Sequence, residues 1–185
     1  MLSSKDLSII IFMAVLGFAS SLLVVQIGRM LTGIPGINYA FTIVLAIETS
    51  FSLLMYEGRR WRFFLQMTLF AILIIPTNLG GPPFDILARI NMIINAFLCD
   101  LAFNSIYRTF QKRNKLVWWV IIAMVTYWVL NPFISILIKP LFYPPEYIET
   151  LISVVSLLLP VIIIESIAGG YFGHKIYRRL KSIHK

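Results

Sequence analysis

The sequence predicts an all-α integral membrane protein of six transmembrane helices with both termini cytoplasmic. Three observations carry that expectation. The 185-residue chain is 59% hydrophobic and only 13% charged, where a soluble domain is usually about 25% charged. Its mean hydropathy is +0.86. Apolar runs recur along it, on the scale of the ~20 residues that cross a ~30 Å hydrocarbon layer. Little sequence separates these runs, so residues 1–185 read as a single transmembrane domain.

The spans are expected at 7–27, 37–56, 63–78, 86–107, 116–138 and 150–176. The first is too long for the apolar core of a signal peptide and lacks a small-residue cleavage site, so no cleaved leader is expected. Proline and glycine mark the connections "GIPG" at 33–36, "GGPP" at 80–83 and "YPPE" at 143–146. The third span is the shortest, which suits a tilted or partly re-entrant segment.

Basic residues set the orientation. Lys5, Arg59, Arg60, Arg62, Arg108, Lys112, Arg113, Lys115, Lys175, Arg178, Arg179, Lys181 and Lys185 fall on one side, and only Arg29, Arg89 and Lys139 on the other. The richer side is the expected cytoplasmic one, in a cell (plasma) membrane. The net charge of +8 thus reads as topology and contact with anionic lipid head groups. Nucleic-acid binding would need a soluble basic face, and none is visible. A lone cysteine, Cys99, excludes an internal disulfide. His174 and His184 lie near the basic C-terminal end, and no His/Cys cluster has metal-ligand spacing. Neither a metal nor a cofactor is expected.

Ionisable groups inside a membrane are costly and usually face the bundle interior. Glu48, Asp100 and Glu165 lie deep, at a shared depth of roughly 12–15 Å from the cytoplasmic boundary at 1.5 Å rise per residue. They form a cation, proton or cationic-substrate site, or else each is neutral or hydrogen-bonded to a neighbouring helix.

The fourth span, "FDILARINMIINAFLCDLAF", carries two polar stripes at 100° per residue. Asn91, Asn95, Cys99 and Ala102 make one; Arg89 and Asp100, within about 20° of each other, make the second. This helix should be central. Arg89, Asn91 and Asn95 lie near its outer end, where they would hold a ligand or hydrogen-bond between helices. Gly169 and Gly173 form a GxxxG spacing with Ser166 beside them, and Ala14, Gly17 and Ser21 form a similar small-residue stripe in the first span. Such stripes allow close helix contact. Pro160 is tolerated where neighbours satisfy the freed carbonyl.

No G-x-S-x-G, H-E-x-x-H, Walker A or Asp-rich loop motif occurs. The chain has no means of hydrolysing ATP, so active transport would need another subunit.

With these features the sequence resembles the S components of energy-coupling factor (ECF) transporters, the small membrane subunits that capture vitamins and related micronutrients. The resemblance spans the whole chain in architecture. It is most specific in "LLPVIIIESIAGGYFGHKIYRRLK" and weaker in "INMIINAFLCDLAF". It implies an S-component-like bundle that binds substrate from outside, under the loop between the first two helices. It also implies a transmembrane coupling subunit and two cytoplasmic ATPases as partners, with ATP turnover toppling the S component. The family's Ala-xxx-Ala motif in the first helix is replaced here by Gly17-xxx-Ser21 beside Ala14, the expected partner contact.

The expected ligand is a small, water-soluble, vitamin-like molecule in the outer half. Its candidate contacts are Arg29, Asn38, Tyr39, Asp85, Arg89, Asn91, Asn95, Asn131 and Tyr147, each polar and able to orient a ligand. Two rival readings stand beside this one. One is an intramembrane enzyme acting on a lipid or isoprenoid, with Glu48, Asp100 and Glu165 binding a divalent metal. The other is an autonomous proton-coupled carrier using the same acids, although no inverted repeat is visible.

Overall fold

The computed structural model describes residues 2–25, 32–34 and 36–183. Among the described residues there are six α-helices and no strand: α1 (Ser4–Ser20), α2 (Ile43–Met55), α3 (Arg62–Leu73), α4 (Ile90–Lys112), α5 (Leu116–Ile138) and α6 (Pro145–Ile183). A π turn, Ser21–Val25, extends α1. Short 3-10 segments precede α2 and α4 and follow α5.

Four helical stretches are long and apolar enough to cross a membrane: Ser4–Leu23, Leu87–Lys112, Leu116–Leu141 and Pro145–Ile183. The second and third expected spans are shorter than the sequence suggested, because α2 has 13 residues and α3 has 12. At 1.5 Å per residue each covers only about 18–20 Å of a ~30 Å layer. Local chemistry sets their limits. Gly36, at φ 85°, turns the chain into the 3-10 segment Ile37–Phe41, and α2 begins only after Thr42. Beyond Leu73, Pro76 lacks the amide that a continuing helix would need.

The helices close into a ring in the order α1, α3, α4, α5, α6, α2, with α2 also touching α5 across the middle. Ala46, Leu53, Leu54, Phe63, Trp119, Val120, Met124 and Ile162 fill the centre. Large apolar side chains such as Phe12, Leu23, Leu137, Leu157 and Ile164 point outward, as the lipid-facing side of a membrane bundle requires.

The closest helix contact is α2 on α6. A Cβ on Gly169 would meet Ala46, and one on Gly173 would meet Ser50. Ser50 donates a hydrogen bond to the Gly169 carbonyl at 3.0 Å. The GxxxG spacing thus serves an internal contact.

At one end of the bundle, the start of α1, loop 56–61 and the last turns of α6 meet. Asp6, in a capping box with Ser3, pairs with Arg59 at 2.6 Å and Arg62 at 3.0 Å. Lys181 approaches Glu57 at 3.7 Å. The opposite end is built from segments 36–41, 74–89 and 139–147, and there the two short helices stop below their neighbours.

Candidate functional site

The space left by the short helices is a cavity of about 910 Å³, counted with its open mouth. It is walled by Leu45 of α2 and Thr42 just before it, Met67 and Phe70 of α3, Asn91 and Met92 of α4, Tyr127, Trp128, Asn131 and Ser135 of α5, and Leu151 of α6. Gly36, Asn38 and Tyr39 cover one side, and Lys139 and Tyr147 stand at the edge.

Its polar centre is Asn131, whose Oδ1 accepts from the Tyr39 hydroxyl and from Asn91 Nδ2, each at 3.2 Å. One amide thereby joins the segment before α2 to α4 and α5. Three further wall residues keep a buried polar atom without a hydrogen-bond partner: Ser21 Oγ, Asn91 Oδ1 and Trp128 Nε1. Buried polar groups are nearly always paired. A solute offering both donors and acceptors suits this lining.

The sequence-derived candidates separate into groups. Asn38, Tyr39, Asn91, Asn131 and Tyr147 line the cavity. Arg29 lies outside the described residues. Asn95, Arg89 and Asp85 are not in the wall, which corrects their assignment to the ligand. Asn95 is fully buried and donates to the Tyr127 carbonyl at 2.8 Å, clamping α4 to α5. Arg89 is 1% exposed, and its guanidinium donates to the carbonyls of Thr77 (2.7 Å), Pro82 (2.5 Å) and Asp85 (2.6 Å). It folds the 74–85 segment around itself. Asp85 accepts from the Ala88 amide at 3.2 Å and the Tyr143 hydroxyl at 2.5 Å, tying two loops together. The Tyr143 hydroxyl bond holds the Asp85 carboxyl below the usual carboxylate range.

The three deep acids have separate partners. Asp100 accepts from the backbone amides of Trp61 (2.8 Å) and Phe64 (2.9 Å) and from Asn104 Nδ2 (2.6 Å). It caps the first turn of α3 from another helix, where a carboxylate also meets the positive end of the helix dipole. Glu165 does the comparable task for α2, accepting from the Thr42 amide at 2.8 Å and hydroxyl at 2.6 Å. Glu48 accepts from the Ser20 hydroxyl. Among the described residues, no group of three acid, His or Cys side chains could hold one metal ion. The shared depth expected from the sequence therefore corresponds to two helix caps and one α1–α2 contact.

The first-helix stripe is also corrected. Ala14, Gly17 and Ser21 are buried inside the bundle, with Gly17 facing Phe70 and Glu48, so this face is closed to another subunit. Small size serves internal packing here just as it would serve an external contact, and spacing alone does not tell the two apart.

Sequence reasoning passed over Ser135 and Lys139. With Asn131 they form an i, i+4, i+8 stripe that runs along α5 into the 3-10 segment after it, and that spacing was legible. Lys139 had been read only as a topology marker. Trp128 and Tyr127 carried no signal apart from their surroundings. No family model, curated protein or solved structure matches the chain.

Proposed function

We propose that this protein is the substrate-capture subunit of an ECF-type importer in the cell membrane. It binds a small vitamin-like solute at the end poor in basic residues and passes it on with a coupling subunit and two ATPases. The observation that carries the reading is the cavity itself. It lies toward the end with few cationic residues, which the positive-inside rule turns outward. Gly36, Asn38 and Tyr39, ahead of α2, border it, and its walls combine apolar and aromatic side chains with a few convergent amides and hydroxyls, the usual make-up of a ligand site.

Native mass spectrometry of the protein purified from membranes tests it. A small solute is expected to stay bound to the wild type and to be lost in Asn131→Leu, where the polar centre is removed. Wild-type protein without a solute under conditions of uptake would contradict the reading. Orientation is checked by single cysteines in a Cys99→Ala background. One at Pro145 is expected to react with a membrane-impermeant thiol reagent in intact cells, and one at Asn114 is not.

One observation favours an autonomous proton-coupled carrier as a second reading. Glu48 lines a smaller cavity of about 310 Å³ that shares Leu45, Met67, Phe70 and Trp128 with the larger one. Its Oε2 has no partner. Transport by the chain alone in proteoliposomes, driven by a pH gradient and lost in Glu48→Gln, would select that reading.

A further inference from the structure

We propose that the solute is an organic cation whose protonated amine is held by Glu48, in a recess at the inner end of the cavity. The inference rests on the capture reading and adds the class of ligand.

The recess is the smaller cavity of about 310 Å³. On three helices its lining continues that of the larger cavity inward. Ser21, just after α1, borders the larger space, and Gly17 borders the recess one turn below it. Leu45 of α2 is followed by Glu48, and Met67 of α3 is preceded by Gln66. Each step runs toward the end where α1 begins, by about one helical turn or less. Leu45, Met67, Phe70 and Trp128 border both spaces. Met67 is unbranched and flexible, so a small side-chain movement joins them.

Glu48 is the deep acid that the fold leaves half used. Its Oε1 accepts from the Ser20 hydroxyl of α1, which sets the direction of the carboxylate. Its Oε2 is buried and has no hydrogen-bond partner among the described residues. Asp100 differs, since both of its oxygens are taken up by amides. A buried carboxylate without a counter-charge is unfavourable, and buried polar atoms are nearly always paired. Trp128, in the wall of both spaces, is 7% exposed, and its Nε1 is likewise without a partner among the described residues. Two polar atoms of the same walls thus await a ligand.

The rest of the lining favours an ammonium as the donor to Oε2. Phe70 and Trp128 bring aromatic rings to the recess, and ring faces attract cations. Met13, Leu45 and Met67 make most of the remaining wall apolar, which suits the carbon frame of an amine. A hard metal ion would need several oxygen ligands, and among the described residues no group of three acid, His or Cys side chains could hold one. A proton would satisfy Glu48 but would leave the volume and the rings without a use. The amine end therefore sits deepest, and the remainder of the solute extends into the larger cavity toward Asn91 and Asn131.

The test uses the full chain in nanodiscs of zwitterionic lipid. The probes are 2-phenylethylammonium, 2-phenylethanol and 3-phenylpropanoate, followed by saturation-transfer NMR against empty nanodiscs. The ammonium is expected to bind about tenfold or more tighter than the alcohol, as a charge-assisted hydrogen bond exceeds a neutral one. Glu48→Gln should abolish that preference, and Glu48→Asp should keep it. Location is read on the wild type, independently of any variant's folding. A diazirine-bearing 2-phenylethylammonium, photolysed in place, should label the peptides that hold Glu48 and Met67. An alcohol or a carboxylate that binds as well as the ammonium, a preference that survives Glu48→Gln, label confined to other peptides, or no binding by any probe overturns the assignment. The capture reading is judged separately by native mass spectrometry of the unprobed protein. A co-purified solute alongside probes that show no cation preference would remove the amine alone. The lack of any solute under conditions of uptake would remove the capture reading and the ligand class with it.

Discussion

The two ends of this bundle use many of their polar side chains differently. At the end where α1 begins and α6 finishes, the fold binds most of them, although Asn104 Oδ1 has no hydrogen-bond partner. Asp6 is bound by Arg59 and Arg62, Asp100 by two backbone amides and Asn104, and Trp119 Nε1 by the Phe103 carbonyl at 3.0 Å. At the other end, neutral amides and hydroxyls surround open volume, and Ser21, Asn91 and Trp128 keep unpaired atoms. A polar residue in a membrane helix is therefore not a site by virtue of its polarity. Whether it serves the fold or a ligand depends on whether a backbone end lies within reach.

Asp100→Ala is the strongest way to break this comparison. It leaves the amides of Trp61 and Phe64 without their acceptor in a part-buried place. At about 1–3 kcal/mol for each of the two donors, the loss should be on the order of 2–6 kcal/mol. Thermal unfolding in detergent should show a large drop for Asp100→Ala and a smaller one for Asp100→Asn, which keeps an acceptor. A site acid would give the reverse pattern: preserved stability with altered binding.

Helix packing gives the next effect. A Cβ on Gly170 would lie 2.9 Å from the Ile121 Cα, a backbone atom that cannot turn aside. Gly170→Ala should cost about 1–3 kcal/mol as α5 and α6 are forced apart. Gly17→Ala meets nothing nearer than a Phe70 ring atom at 3.6 Å. It should change stability by under about 1 kcal/mol and leave any partner assembly intact. Co-purification with a coupling subunit that is lost in Gly17→Ala would restore the external role for that face.

Asp85→Asn has the smallest expected effect, about 0.5–1 kcal/mol, because the group is only half-buried. Its sign with pH is fixed. A carboxylate held below its unfolded value stabilises the protein above that value and loses its contribution as pH falls through the folded one. Wild type and Asp85→Asn should therefore differ at neutral pH and converge in acid. Curves that stay parallel down to acid pH would show that the link to Tyr143 does not depend on charge.

Much of the fold was legible because lipid imposes one rule along the chain: the apolar runs, their breaks at Gly and Pro, and the basic asymmetry all follow from it. The true lengths of α2 and α3 were not legible. Residues 37–42 (INYAFT) and 74–78 (IIPTN) mix apolar and polar side chains much as the start of α4 does within its helix, and what ends these helices is φ at Gly36 and the missing amide at Pro76. For the site, Asn38, Tyr39, Asn91, Asn131 and Tyr147 were found from depth and polarity. Asn95, Arg89 and Asp85 are also polar outer-half residues, yet their partners are backbone carbonyls for the first two and, for Asp85, the Ala88 amide and the Tyr143 hydroxyl. Pattern alone does not reveal those partners. Lys139 was missed for the converse reason, since a cation at a span boundary looks like topology until its burial under two tyrosines is seen.

The most direct test pairs one residue from each end in a single experiment. Native mass spectrometry and thermal unfolding would be run together on wild type, Asn131→Leu and Asp100→Asn. The account predicts bound solute in the wild type, solute lost from Asn131→Leu, which also leaves Tyr39 and Asn91 without their acceptor, and solute kept by Asp100→Asn although its unfolding temperature falls. Solute retained by Asn131→Leu and lost from Asp100→Asn at unchanged stability would contradict it and place the binding site at the other end of the bundle.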